Sequence, residues 1–147
     1  MFKKSVLPVL LALALLLSLP ATAMAAIPAT DDPQASYYFN DYTIAIGTSS
    51  GQIGVTLSVG ATHVMTRIGV QQLVIKQYVG GRWEEYTTIY GATNPSACYD
   101  YNSIDYLHTF YFNCLTGVQY KATATLLAVD SNGSETRSIT SPAQLCT

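Results

Sequence analysis

The run from Val118 to Ala128 constrains this chain more than any other stretch. Val118, Tyr120, Ala122, Ala124, Leu126 and Ala128 fall on one face, and Gln119, Lys121, Thr123 and Thr125 on the other. A period of two is the signature of a strand with one buried face. Gly117 closes the element before it, and Asp130-Ser-Asn132-Gly133 follows as a turn, whose Asn-Gly pair readily supplies positive φ. A Thr- and Ser-rich strand then returns toward Thr140. The stretch reads as a β-hairpin with one apolar face, and other strands must cover that face.

Five more strands are legible upstream. Tyr37 to Gly47 is the first, with Tyr42, Ile44 and Ile46 on one face. Ile53, Val55, Leu57 and Val59 alternate in the second. Gly60 to Met65 breaks the period and is expected to be a loop. Ile68 to Tyr78 is the third strand, with Leu73 and Ile75 inward and a bulge expected at Gln71-Gln72, where the phase slips. Gly80-Gly81 is a turn, and Trp83 to Tyr90 is the fourth strand. Gly91 to Asn102 is expected to be irregular. Tyr106 to Phe112 is the fifth strand, with His108, Phe110 and Phe112 on one face. The expected fold is therefore all-β, a seven-stranded antiparallel sandwich.

The N-terminus belongs to a different class. Lys3 and Lys4 precede an apolar run from Val6 to Leu19, and Ala23-Met-Ala25 offers a small-x-small cleavage site. Residues 1–25 are expected to be a secretory signal peptide, its apolar core shorter than the ~20 residues of a membrane span. Residues 26–36, with Pro28 and Pro33, read as a flexible leader, 37–142 as the β-sandwich domain and 143–147 as a short tail. Secretion is the expected destination, with no membrane association after cleavage. Without Lys3 and Lys4, five basic residues face nine acidic ones, a net charge of −4. That balance disfavours nucleic acid as a partner, which rewards basic patches.

The hairpin resembles the last two strands of fibronectin type III and related immunoglobulin-like domains. Leu115-Thr-Gly117-Val-Gln-Tyr120-x-Ala-x-Ala-x-Leu and the following Asp130-Ser-Asn-Gly133-Ser carry the resemblance. It implies that Tyr120 acts as a tyrosine corner, its hydroxyl bonded to upstream backbone. The tryptophan expected on an early strand is absent there, and Trp83 lies after the third strand instead. Ile68-Gly-Val, Leu73-x-Ile75 and Gly-Gly-Arg-Trp83 are further similar to small exported proteins of Gram-positive bacteria whose function is unknown.

No nucleophile elbow, phosphate loop or HExxH motif is present, and neither cofactor nor metal is expected. Asp130-x-Asn132-Gly133-x-Glu135 is only a fragment of a calcium loop, which the turn explains. A Cys98–His108 pair is the enzymatic alternative, without an evident orienting group. The unusual feature is eleven tyrosines. Tyr37, Tyr38, Tyr78, Tyr86, Tyr90, Tyr99, Tyr101 and Tyr111 are expected at strand ends or on outer faces, and Tyr78, Tyr86 and Tyr111, with Trp83, are the candidate surface for a protein or glycan partner, against packing and strand propensity as the plain explanation. A non-catalytic binding module is thus expected, with a structural or self-associating protein as the alternative. Tyr120, Gly117, Asn132 and Gly133 are assigned structural roles.

The mature part carries three cysteines, Cys98, Cys114 and Cys146. Cys114 and Cys146 follow the fifth and seventh strands, which run the same way, so both emerge at one pole. That pairing is favoured. Cys98–Cys114 stays open if the segment after Cys98 folds back, as do three reduced thiols.

Overall fold

The computed structural model describes residues 36–147. The expected signal peptide and all of the expected leader but Ser36 lie outside the described residues. The elements run β1 (Phe39–Ser49), β2 (Gln52–Val79), β3 (Arg82–Tyr90), α1 (Pro95–Cys98), β4 (Tyr99–Asn113), β5 (Gln119–Asp130), β6 (Gly133–Thr140) and β7 (Gln144–Leu145). The seven strands form one hydrogen-bonded sheet, and every pairing is antiparallel.

The axis of the sheet is β2, 28 residues long. Its first part, Gln52 to Ala61, lies between β1 and β4. Its second part lies between β5, paired from Arg67 to Gln77, and β3, paired from Gln72 to Val79. β6 adds to the far edge of β5. The expected loop at Gly60–Met65 is therefore strand. The period breaks there because the register against β4 shifts between Gly60 and Met65, so the chain bulges as it passes from one half to the other. One continuous strand serving both halves replaces the two separate strands expected, and one sheet replaces two.

The inner faces of both halves share a single core. Ile53, Val55, Leu57 and Val59 meet Leu73, Ile75, Tyr120, Ala122, Ala124 and Leu126 in one buried cluster. Each fully buried aliphatic side chain contributes about 1.5–3 kcal/mol by leaving water. The expected bulge at Gln71 is present: β5 pairs Val70 and then Gln72. The carbonyl of Gln71, turned out of that ladder, accepts the Gly91 N–H at 2.9 Å.

Two further boundaries differ from the expectation. β4 begins at Tyr99, so the irregular segment shrinks to Gly91–Cys98 and includes the four-residue α1. Asn102, at φ 52°, interrupts the strand pattern there and hides it from periodicity. The tail at 143–147 is part of the domain. β7 pairs with Gln119 and Tyr120 of β5, and Cys146 is buried. A two-residue strand is too short to show any period.

Candidate functional site

The hairpin between β5 and β6 shows how local chemistry sets the frame. Asp130 pairs with Gly133, leaving two residues in the loop. The Asp130 carboxylate accepts the Asn132 N–H at 2.6 Å and the Gly133 N–H at 3.0 Å. The positive φ belongs to Gly133 and not to Asn132. At the other end of β5, Gly117 takes φ 84° and the Tyr120 hydroxyl accepts the Leu115 N–H at 3.1 Å. Tyr120 is fully buried, so that bond satisfies a hydroxyl with no access to water. Cys114 and Cys146 are joined by a disulfide with Cα atoms 6.1 Å apart. The Gly117 N–H donates to the Cys146 carbonyl beside it, and the Cys146 N–H to Val118.

The aromatic candidates separate into three environments. Tyr78 and Trp83 are cross-strand partners on β2 and β3, with ring centroids 5.2 Å apart and planes tilted by 58°. In-register partners share a sheet face. The alternation places this pair opposite Ile75, on the outward face. Lys121 Nζ sits 4.4 Å from the centroid of the Trp83 indole, a cation–π distance. Lys76 stands in register between Glu85 and Lys121. The Thr88 hydroxyl donates to Glu85 at 2.8 Å. The result is two adjacent aromatic rings beside a short row of charges and hydroxyls.

Tyr86 does not join them. The register slips between Ile75 and Lys76, which leaves Tyr86 unpaired on β3. Its ring meets Tyr120 edge-on at 5.5 Å, and its hydroxyl donates to the Asn113 carbonyl at 3.0 Å. Tyr111 lies on the other half of the sheet. It pairs with Gly54, and its ring atoms come within 3.3 Å of where a Cβ on Gly54 would sit. It borders a shallow, open depression of about 550 Å³ floored by Ala45, Gly47, Gly54 and Thr56. Lys121, the group that completes the outward site, is named by no motif. Its only signal was its polar position in the alternation of β5.

Both components of the enzymatic alternative pack among core residues. Cys98 is fully buried, and burial pushes its thiol up from the ordinary range, away from a reactive thiolate. His108 is packed beside Phe110 at 4.7 Å and Tyr106 at 6.4 Å. The calcium-loop residues are already engaged: Asp130 by the turn and by His63, Glu135 by Ser36 and Arg137. Among the described residues, no group of three His, Cys, Asp or Glu side chains is placed to hold a metal ion. No described helix is long and apolar enough to cross a membrane.

No protein-family model and no curated protein matches the chain. Among solved structures it is similar to Spo0M, a sporulation control protein from Bacillus subtilis, at 9% sequence identity and a TM-score of 0.37. The match covers 70% of this chain and 49% of that one, so it spans about half of that protein's length. Nothing about the activity of this chain follows from it.

Proposed function

We propose that this chain is an exported, non-catalytic binding module that meets a protein or glycan partner through Tyr78, Trp83 and Lys121. One observation carries the reading. Tyr38, Tyr42, Tyr99, Tyr106 and Tyr120 all belong to the core or pack against it, whereas Tyr78 and Trp83 do neither. Large rings that stabilise no core and stand together on an outward sheet face are the residues that anchor partners or stack on sugar rings. The fold around them is read as a variant of the immunoglobulin-like sandwich in which β2 serves both halves; the Tyr120-to-Leu115 bond supports that kinship.

The reading is tested by glycan-array and pull-down experiments on the purified protein, repeated with Trp83→Ala. Loss of a ring that anchors a partner weakens binding by about 2 kcal/mol or more. Binding that ignores both Trp83 and Tyr78 sinks it.

A self-associating structural protein is the second reading, favoured by the other half of the sheet. Leu107 and Tyr111 point outward from β4, 69% and 70% exposed, beside the depression floored by small residues. Sedimentation that stays monomeric at high concentration removes this reading. Association abolished by Leu107→Lys supports it.

A further inference from the structure

His63 lies in the bulged passage of β2 and joins three separate parts of the chain. Its Nε2 is 2.9 Å from Asp130 Oδ2, at the end of β5. Its Nδ1 is 2.9 Å from Thr62 Oγ1. The Thr62 hydroxyl in turn donates to the Tyr37 carbonyl at 2.5 Å, where the described chain enters the fold.

The protons in this relay can be counted. A carbonyl oxygen only accepts, so the single hydroxyl proton of Thr62 is committed to Tyr37. In that arrangement the hydroxyl is left to accept from His63, which suits a proton on Nδ1. At the other ring nitrogen stands a carboxylate whose Oδ1 accepts from Asn132 N–H, Gly133 N–H and the Tyr38 hydroxyl. Hydrogen bonds to the anion favour the ionised form. The hydrogen bond from His63, with those from the turn, holds the Asp130 carboxyl down at about 2. An ionised carboxylate also only accepts, so Nε2 must carry a proton too. With both ring nitrogens donating, every bond of the relay is satisfied at once, and that arrangement describes an imidazolium.

We propose that His63 is a proton-operated clasp, which in its charged form fastens the N-terminal segment at Ser36–Phe39 to β2 and to the β5–β6 turn. The Tyr37 ring meets the imidazole edge-on at 5.2 Å, and the Tyr38 ring lies 6.4 Å from it. Glu135 of β6, though paired with Arg137, accepts the Ser36 hydroxyl at 2.8 Å. Ser36 itself accepts the Phe39 N–H at 2.7 Å, and the Thr62 N–H donates to the Tyr38 carbonyl at 3.1 Å.

Losing the proton releases one specific bond. A neutral ring that keeps its Nε2–H on Asp130 presents a bare lone pair at Nδ1. Two acceptors then face each other at 2.9 Å, unless the Thr62 hydroxyl turns its proton to Nδ1. That turn gives up the Tyr37 carbonyl. Deprotonation is thereby passed to the segment through which everything upstream is attached. The clasp acts far from the aromatic pair, since Asp130 and Lys121 sit near opposite ends of β5.

The test combines two measurements on the purified protein across about pH 5 to 8.5, the range in which imidazoles change charge. Ring ¹⁵N chemical shifts should report both nitrogens of His63 protonated at the acidic end. Exchange of the Thr62 amide, corrected for its intrinsic pH dependence, should be up to about tenfold slower there than at the alkaline end, the upper end of the worth of one neutral hydrogen bond. His63→Gln should remove that pH dependence. Thr62→Val should make the exchange rate at position 62 indifferent to pH. A single neutral tautomer of His63 at the acidic end, or Thr62 exchange indifferent to pH in the wild type, overturns the clasp. If His63→Gln fails to fold, the wild-type ring shifts decide alone.

Discussion

The two halves of the sheet share a strand and a core but present opposite outer surfaces. Around the first part of β2, the outward positions are Ala45, Gly47, Gly54 and Thr56, with Leu107 and Tyr111 exposed beside them. Around the second part they are Lys76, Tyr78, Trp83, Lys121, Thr123 and Thr125. Their inner faces are alike because burial of apolar area governs both. Their outer faces are released from that requirement and differ in chemistry. One is a smooth, small-residue surface suited to close approach. The other is a polar surface that carries the Tyr78–Trp83 pair, with Tyr90 exposed further along β3. On the proposed reading, partner binding belongs to the second half and self-association to the first.

The largest expected effect tests whether the halves are one folding unit. The disulfide ties Cys114, at the end of β4 in the first half, to the tail that pairs with β5 in the second. It closes a loop with a sequence separation of 32. Cys146→Ser should cost about 3–4 kcal/mol on the chain-entropy account, read as a lower denaturation midpoint. Two resolved unfolding transitions in that variant would show that the halves are separable.

Next comes the crossing point. Gly69, at φ 148°, lies where β2 meets both β4 and β5, and a Cβ there would fall 2.0 Å from the Cys98 carbonyl oxygen. Gly69→Ala should destabilise by about 3 kcal/mol, from strain and displaced backbone together. An unchanged midpoint in chemical denaturation would mean that the Gly91–Cys98 segment yields without cost.

Tyr120→Phe removes the acceptor of the Leu115 N–H and should cost about 1–2 kcal/mol. No loss would remove the tyrosine-corner role. A smaller contrast sharpens the comparison of outer surfaces: Trp83→Ala and Tyr111→Ala should each change stability by less than about 1 kcal/mol, since neither ring belongs to the core. Only Trp83→Ala should weaken partner binding.

The acid limb of stability tests the turn. Asp130 has a depressed carboxyl in the folded state, so its contribution is present above the ordinary carboxylate range. It is lost as pH falls toward about 2, where the folded carboxyl itself protonates. Asp130→Asn should flatten that limb between about pH 4 and pH 2 in thermal melts. A limb of unchanged slope would assign it to other carboxylates.

Strict alternation made the core legible in advance. Ile53 to Val59 and Val118 to Ala128 announced their buried faces, and the slip at Gln71 announced its bulge, because a period of two reports directly which side of a strand avoids water. The turn at Asp130–Gly133 was equally local, although its positive φ falls on Gly133 alone and the Asp130 carboxylate does the holding. Apart from the favoured Cys114–Cys146 pairing, what sequence left undecided is what depends on partners distant in the chain. That β2 runs unbroken through Gly60–Met65 follows from the strands flanking it, since a bulge and a loop break a period in the same way. That Trp83 stands with Tyr78 and Lys121, while Tyr86 and Tyr111 turn elsewhere, follows from cross-strand register. The relay from Tyr37 to Asp130 joins residues 93 positions apart, and no periodicity encodes such a meeting. Local pattern determines which face is dry; only the tertiary arrangement determines which neighbours share it.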